Sequence, residues 1–404
     1  MNDRATHLLL NLGHAFDHMF LLIFATAVAR IASEFGLARW EDLMPYGVGA
    51  FFFFGVGSLP AGKLGDQWGR RPMMIVFFVG LGVSAILVSL TTSALQMAIA
   101  LAFLGSFAAI YHPVGIPMLV QGATRPGWTI GVNGLAGNLG VAAAAVTTGF
   151  LVKYLGWRMA FAIPGIISIA CGVLFALVAT REMAPPARKK AAAVTPAGVS
   201  MARLFFVMTM AATSGSLLFN FSTNGNYELL TDRMKAIVQD PAWLGALLAA
   251  TYTVASLTQL AIGHLIDRVS LKRLYLSVVA VQGLLLAAAL AVDGWVFYLL
   301  QFLFMAAIFG AIPFTDAMIV RYVDDSMRSR VSGMRLAVAF GASSLAVWLI
   351  GPLVREAGFT ALLGVMAAVS VLTLLVVSQL PATPAPERAA KAPLAPQEPG
   401  PSQA

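Results

Sequence analysis

The amino-acid sequence predicts an all-α polytopic membrane protein with twelve transmembrane helices in two six-helix bundles, and three observations favour this fold class. Of the 404 residues, 59% are hydrophobic and only 11% are charged, whereas a soluble domain carries roughly 25% charged residues. The apolar runs are about 20 residues long, which is the length that a helix needs to cross a bilayer. Features of the first half of the chain also recur in the second half.

The repeat is clearest in a short, charged segment that contains glycine and separates two apolar runs. The segment Gly62-Lys63-Leu64-Gly65-Asp66-Gln67-Trp68-Gly69-Arg70-Arg71 has a degraded copy, Gly263-His264-Leu265-Ile266-Asp267-Arg268, 201 positions later (263 − 62). We interpret each copy as a loop between two helices. Because six is an even number of crossings, the bundles are predicted to be parallel repeats about an axis along the membrane normal. Two further matches have nearly this offset: residues 151–157 with 353–359, and Pro113 with Pro313.

The apolar runs and the segments between them define the predicted domains. Residues 1–180 form the first bundle, residues 203–380 form the second, and the basic residues 181–202 form a cytoplasmic linker. The tail, residues 381–404, is rich in Pro, Ala and Glu, cannot bury apolar surface and is predicted to be disordered. The twelve predicted spans are 8–33, 43–62, 72–91, 95–120, 128–152, 157–180, 203–230, 242–264, 272–292, 295–320, 331–353 and 358–380.

The N-terminal apolar run has some features of a secretory signal, but three ionisable residues, His14, Asp17 and His18, interrupt it. A cleavable apolar segment would not contain them, so we predict a retained first transmembrane helix. Basic residues concentrate in the loops on the side of the N-terminus. By the positive-inside rule, both termini are predicted to be cytoplasmic, in a bacterial inner membrane.

Composition also excludes several classes of function. The net charge of +8 is explained by basic cytoplasmic loops and not by a nucleic-acid partner. The single cysteine, Cys171, rules out an internal disulfide and a cysteine-based metal site. The chain has no phosphate-binding loop for ATP and no zincin or Ser-His-Asp pattern, so we predict neither an enzyme nor a cofactor. The expected partners of this predicted monomer are a small-molecule substrate, protons and the lipid bilayer.

The twelve predicted helices, the basic central linker and the pattern Gly-x-Leu-x-Asp-x-x-Gly-Arg-Arg between helices two and three resemble the major facilitator superfamily of secondary transporters. Three stretches are similar to the fosmidomycin-resistance type of proton-coupled exporter: Gly13 to Asp17, His112-Pro113 and Gly137 to Gly140. The resemblance implies that the aspartate of the loop pattern caps a neighbouring helix and pairs with a basic residue across the bundle to hold a cytoplasmic gate. The gating residues are thus predicted to be Gly62, Asp66, Gly69, Arg70, Arg71, Asp267 and Arg268.

A separate prediction concerns the ionisable residues of the first helix. His14, Asp17 and His18 are three and four residues apart and therefore share one helical face. An ionisable side chain at this depth costs about 2.5–3.5 kcal/mol and marks a functional site by default. Asp17 could carry a coupling proton, and His14 or His18 could share it or bind substrate. A divalent-metal site and a purely structural role are the alternatives.

Other polar residues complete the predicted site. His112 precedes a kink-forming proline and is expected to face the same cavity, which makes Asp17 and His112 the pair to test. The stripe of glycines in helix five is interpreted as a packing seam, with Asn133 and Asn138 as possible cavity-facing exceptions, and Asn138 is included in the predicted proton-coupling or substrate site. Asp316 follows Pro313, and Arg335 could bind an anionic substrate or pair with Asp316.

The sequence therefore predicts a secondary active transporter, most simply one that exports a small organic molecule by proton antiport. Proton-coupled uptake of a small organic anion is favoured if Arg335 faces the cavity. Transport of a divalent metal or a metal chelate is the third possibility. A transporter-like receptor that no longer transports is disfavoured, because a static scaffold has no use for the gating residues Asp66, Gly69 and Arg70.

Overall fold

The computed structural model describes residues 2–121, 126–179, 201–266, 268–322 and 325–380, without the side chains of 2–3, 126–127, 201–202, 316, 320–322, 325–337 and 340. The predicted linker and tail lie outside the described residues. The described chain is helical throughout, with short turns and no strand, because lipid-facing backbone must satisfy its own hydrogen bonds. The all-α fold class is thus confirmed.

Twelve helices correspond to the twelve predicted spans. The last two helices form one continuous run, Asp325–Ser378. Gly358 divides this run, because its φ/ψ angles (74°, 177°) are not helical. The helices are α1 Asn2–Glu34, α2 Val48–Trp68, α3 Arg70–Ser89, α4 Ala94–Val120, α5 Pro126–Tyr154, α6 Trp157–Val178, α7 Met201–Met234, α8 Pro241–Ile266, α9 Leu271–Ala288, α10 Gly294–Tyr322, α11 325–357 and α12 359–378.

The repeat is visible in the backbone between the last two helices of each bundle. Gly156 separates α5 from α6 with φ 86°, and Gly358 separates α11 from α12 with φ 74°. The two glycines are 202 positions apart (358 − 156). A positive φ is readily adopted only by glycine, so this matched pair marks the same sharp chain reversal in both halves.

The structure corrects the interpretation of residues 62–71 as a loop. Helix α2 continues to Trp68 and α3 begins at Arg70, so Gly62 and Asp66 lie in the last turns of α2. Only Gly69, with φ 93° and ψ 151°, stands between the helices. A charged, glycine-containing stretch was mistaken for a loop because a helix end that emerges from the membrane has the same composition.

The second copy of this connection is built differently. Ser270 occupies the position that corresponds to Gly69 and has φ −60°, which any residue can adopt. The reversal is spread over a turn that includes the exposed Arg268. Asp267 lies outside the described residues.

In each bundle, a basic side chain that follows the connection between the second and third helices forms hydrogen bonds to the end of the sixth helix. The Arg71 guanidinium donates to the carbonyl oxygens of Ala176 (2.5 Å) and Ala179 (2.8 Å), and Lys272 Nζ donates to Leu380 O (2.6 Å). Donors and acceptors are related by the same offset, 201 positions (272 − 71 and 380 − 179). Each cation satisfies carbonyls that a helix C-terminus leaves without intrahelical partners.

Replacing Arg71 with Ala is expected to destabilise the protein by about 1–3 kcal/mol, the usual worth of hydrogen bonds to a charged group. Chemical denaturation of the purified protein in detergent measures this loss. Lys63→Ala is the matched control, because Lys63 is an exposed cation of the same segment. Equal stability of the two variants would contradict the role assigned to Arg71.

The two bundles are joined by ion pairs at one end, here called the closed end. Lys153 at the end of α5 pairs with Asp240 before α8, and Arg355 at the end of α11 pairs with Asp42 before α2 (3.2 Å). The basic residues are 202 positions apart (355 − 153), so the two pairs are related by the repeat. The Lys153 hydrogen bond lowers the pKa of the Asp240 carboxyl, so this pair is formed at neutral pH and lost only in acid.

At the opposite end, here called the open end, no ion pair joins the two bundles among the residues that the structure describes. Near the closed end, a Cβ added to Gly149 would meet Pro241 O at 2.5 Å, across the interface between bundles. Towards the open end, five glycines have no neighbouring atom within 4 Å of such a Cβ. These glycines are Gly131, Gly134, Gly215, Gly263 and Gly341. The described helices therefore leave unfilled space beside these glycines, towards the end that carries the α2–α3 connection.

Candidate functional site

Helices α1 and α4 bring four ionisable side chains together in the first bundle. His14, Asp17, His18 and His112 each offer one nitrogen or oxygen, and these atoms all lie within 4.8 Å of one another. The predicted pair is in place, with His112 Nε2 3.3 Å from Asp17 Oδ2. Asp17 is 0% exposed and His112 18% exposed. The cluster thus has a buried carboxylate at its centre and an imidazole at its accessible side.

The Asp17 carboxylate receives little compensation for its burial. Neither of its oxygens accepts a hydrogen bond of acceptable geometry from the described residues. A buried ionised group is costly unless it is paired and hydrogen-bonded. Asp17 is therefore stable only with a positive partner at hand or a proton bound.

A local irregularity in α4 places His112. The helix runs from Ala94 to Ala108, continues through a π-helical turn at Tyr111–Gly115, and resumes at Ile116–Val120. Pro113 lies within this turn and has no N–H to donate to the preceding turn. π-helical turns shift the register of a helix and occur often at functional sites. In α10, the corresponding Pro313 lies inside a continuous α-helix, so the two bundles differ here.

His14 is held by α5, which fixes the state of its ring. Its Nδ1 lies 2.7 Å from the backbone oxygen of Asn133, which can only accept, so Nδ1 carries a proton. In the neutral ring Nε2 then accepts, and His18 Nε2 donates to it at 3.2 Å. The His14 ring also stacks on Tyr111 at 4.8 Å between centroids. His14 thus presents Nε2 to the cluster in a fixed orientation.

Polar side chains that sequence reasoning did not assign to the site support His14. Tyr111 donates to Leu10 O (2.7 Å), and Asn133 Nδ2 lies 2.7 Å from Tyr111 Oη and 2.9 Å from Asn11 Oδ1. Asn11 precedes His14 by three residues, so its helical spacing was a usable signal. Tyr111 gave no such signal, because the π-helical turn alters the spacing in α4.

The glycines of α5 fall into two groups. A Cβ on Gly137 would meet the His14 ring at 2.7 Å, and one on Gly140 would collide with the backbone of Ala15, whereas Gly131 and Gly134 face open space. The predicted packing seam is therefore present only where α5 contacts α1. Gly137 specifically leaves room for the His14 ring.

Gly137→Ala is expected to displace the His14 ring and reduce transport about 10- to 100-fold, as misplacement of a functional group by about 1 Å does. Gly134→Ala is the matched control, because its added methyl group meets no atom within 4 Å. Both changes favour the helix equally, by about 1 kcal/mol. Substrate flux into proteoliposomes measures the difference, and equal flux in both variants would contradict this role of Gly137.

The remaining predicted residues are distributed across the molecule. Asn138 donates a hydrogen bond to Gln259 of α8, so it joins the two bundles rather than the cluster. Asp316 lies in α10 and Arg335 in α11, and their side chains are outside the described part of the chain. Asp66 is exposed, and Arg70 donates to Gln121 Oε1 at 3.1 Å. The gating role of the α2–α3 segment stays a prediction, since the side chains at 325–337 of α11 are not described.

The space between the bundles narrows from the cluster towards the closed end. A space of about 200 Å³ there is lined by Leu22, Val141, Ala145, Leu248 and Tyr252, among others. Small-molecule sites typically occupy about 300–1,000 Å³. This space is smaller than a typical site for an organic substrate.

Comparison with known sequences decides the family. The sequence model of the Major Facilitator Superfamily matches residues 10–234 and again residues 204–402. The chain belongs to this superfamily. The second match begins in α7, the helix that the repeat equates with α1. The major facilitator fold predicted from the sequence is thereby confirmed.

Individual relatives of this superfamily member are distant. The multidrug resistance protein MdtG of Enterobacter lignolyticus (strain SCF1) is 24% identical over 327 residues, 79% of this chain and 77% of that protein. The tetracenomycin C resistance and export protein of Streptomyces glaucescens is 29% identical over 137 residues, 32% of this chain and 25% of that protein. A probable hexose phosphate transport protein of Chlamydia pneumoniae is 24% identical over 165 residues, 40% and 36% of the two chains.

Solved structures agree on the fold of this superfamily member. A bacterial homolog to the human lysosomal transporter Spinster, in an inward-facing and occupied conformation, superimposes with a TM-score of 0.73. The match covers 92% of this chain and 94% of that one at 13% sequence identity. The unoccupied form of that transporter gives a TM-score of 0.70. At this identity the likeness establishes the fold and not the substrate.

Proposed function

We propose that this member of the superfamily is a proton-coupled transporter that exports a small organic molecule by antiport, with Asp17 and His112 as the proton site. The observation that carries the proposal is a fully buried carboxylate 3.3 Å from an imidazole, inside a membrane-spanning bundle. Such groups mark proton relays in transporters. Histidine changes its charge in the physiological pH range and is suited to exchange a proton with Asp17.

The pair provides a physical reason for coupling. When the cluster lacks the coupling proton, the Asp17 carboxylate is ionised and needs a positively charged partner close to it. When the coupling proton is bound, the Asp17 carboxyl is neutral and needs no positively charged partner. Substrate and proton can then compete for the same cavity, so that binding of one releases the other. Antiport requires this exchange.

We assign the open end to the cytoplasm and the closed end to the periplasm. The basic residues of the α2–α3 connection support this orientation, and an inward-facing Spinster homolog has the same fold. Both termini are then cytoplasmic, in a bacterial inner membrane. Residues 1–180 and 203–380 act as two bundles that rock about the interface, residues 181–202 link them, and one chain is the working unit, with no enzymatic step.

Export rather than uptake is supported by the names of two relatives, the multidrug resistance protein MdtG and the tetracenomycin C resistance and export protein. Proton-coupled uptake of a small organic anion is the second candidate, because one relative is a probable hexose phosphate transport protein. Arg335 would then contribute to anion binding.

Purified protein in liposomes distinguishes these functions. A panel of cationic dyes, hydrophobic drugs and organic phosphates is first screened for thermal stabilisation of the protein. Flux of each stabilising compound is then followed with a pH gradient imposed in either direction. Antiport predicts that substrate accumulates on the acidic side, whereas proton-coupled uptake predicts accumulation on the alkaline side. Flux that ignores the gradient in both directions would contradict proton coupling.

A further inference from the structure

We propose that His14, Asp17, His18 and His112 form a binding site for one divalent transition-metal ion of the zinc type. The proposal concerns binding and does not depend on the transport function proposed above. Three imidazole nitrogens and one carboxylate oxygen are ligands that Zn²⁺ accepts in tetrahedral sites. The four ligand atoms all lie within 4.8 Å of one another.

The distances within the cluster fit a tetrahedral ion. Bonds of about 2.0–2.1 Å to nitrogen and oxygen place neighbouring ligand atoms roughly 3.3 Å apart around a tetrahedral centre. Two pairs already have this spacing: His14 Nε2 and His18 Nε2 are 3.2 Å apart, and His112 Nε2 and Asp17 Oδ2 are 3.3 Å apart. The two partly buried imidazoles, His18 and His112, can turn to bring the pairs together around one ion.

Two further observations point to a ligand. Asp17 is 0% exposed and lies 3.3 Å from His112 Nε2, yet neither carboxylate oxygen accepts a hydrogen bond from the described residues, so both oxygens keep lone pairs that a cation could bind. His14 Nδ1 donates to the Asn133 carbonyl at 2.7 Å, and metal-binding histidines are commonly oriented by such a bond at the second nitrogen. Its Nε2 is thereby left to face the other ligands.

The selectivity of the site follows from its ligand types. The cluster contains no thiolate, which disfavours Cu⁺ and other soft ions, and it has three imidazoles, which disfavours Mg²⁺ and Ca²⁺. Divalent first-row ions such as Co²⁺, Ni²⁺, Cu²⁺ and Zn²⁺ remain, and the tetrahedral arrangement of four ligands favours Zn²⁺ and Co²⁺ among them. Unfilled space lies one turn along α5 from Gly137, because a Cβ added to Gly134 would meet no atom within 4 Å.

The test is metal binding to the full-length protein in detergent, purified through a tag without histidine. Co²⁺ is titrated first, because a tetrahedral nitrogen–oxygen site gives intense visible absorption, and Zn²⁺ is then added to displace it. We expect one ion per chain. His18→Ala/His112→Ala is expected to weaken Zn²⁺ binding at least about 100-fold, beyond the roughly 10- to 100-fold that loss of an outer partner costs.

The chain supplies a matched control. It has five histidines, and His7 and His264 lie outside the cluster, so His7→Ala/His264→Ala removes the same number of imidazoles and should bind Zn²⁺ normally. Asp17→Asn, which preserves volume, replaces the double variant if that variant does not fold. Wild-type protein without tetrahedral Co²⁺ absorption, or equal Zn²⁺ affinity in both double variants, would overturn the site. Zn²⁺ binding without proton-driven flux would support the site and contradict only the proposed function.

Discussion

Asp17→Asn is expected to reduce proton-driven substrate accumulation to the level of protein-free liposomes. Asparagine has the shape of aspartate but binds no exchangeable proton, and Asp17 is buried beside His112 in the first bundle. The substitution also removes an uncompensated buried charge, so the protein should fold. Substrate-dependent thermal stabilisation should weaken but stay measurable, because asparagine imitates the protonated carboxyl that competes with substrate while the other cluster residues remain. Transport is measured in proteoliposomes with an imposed pH gradient.

Two controls separate loss of coupling from loss of function. Asp293→Asn removes a carboxylate that is 74% exposed and pairs with Arg233 at one loop, so its proton-driven flux should equal that of the wild type. Exchange of substrate across the membrane without a gradient should continue in Asp17→Asn at higher substrate concentrations, since exchange needs no net proton movement and substrate binding is only weakened. Unchanged gradient-driven accumulation in Asp17→Asn would exclude Asp17 as the proton carrier.

Joining the two bundles covalently at the closed end is expected to stop transport. Lys153 and Asp240 form an ion pair between α5 and the start of α8, and alternating access requires these residues to separate in every cycle. Cys171 is the single cysteine, so Lys153→Cys/Asp240→Cys in a Cys171→Ser background offers one reactive pair. A short thiosulfonate cross-linker should reduce flux to background, and dithiothreitol should restore it.

The cross-link itself can be verified on a gel. A protease site inserted within residues 181–202 divides the chain, so the halves migrate together only when they are cross-linked. Each single-cysteine variant treated with the reagent should retain its flux. The repeat-related pair, Arg355→Cys/Asp42→Cys, should behave in the same way as the first. Full flux through chains that are demonstrably cross-linked would mean that the closed end does not open.

Prediction from the sequence was most accurate for side chains that lie on the same helix. The shared face of His14, Asp17 and His18 follows from helical spacing, and the proximity of His112 was predicted from the resemblance and from its proline. The position of Tyr111 depends on a π-helical turn that a 3.6-residue period does not show. The bond between Asn138 and Gln259 depends on how two bundles dock, and no local pattern encodes that.

The connection between α2 and α3 shows why composition alone misleads. A charged segment with several glycines reads as a loop, yet only Gly69 leaves helical geometry there. Helix bounds at a membrane surface depend on where hydrogen-bond partners for the backbone are available, and composition alone does not reveal those partners. The hydrogen bonds of Arg71 could not be predicted from this segment, because the carbonyl acceptors of Arg71 lie on a helix more than one hundred residues away in sequence.

The Arg71 hydrogen bonds also connect α3 to the end of α6, and this connection affects how a force on α6 is transmitted. Ala179 is the last described residue before the predicted linker, so a force on that linker would act first at the end of α6. Arg71 of α3 is hydrogen-bonded to the C-terminal end of α6. We therefore expect the force to be transmitted to α3, and through Gly69 to α2, and not to unwind the last turn of α6. We therefore expect the first bundle to move as a rigid body during the proposed alternating access, with the force reaching the segment predicted to form the gate.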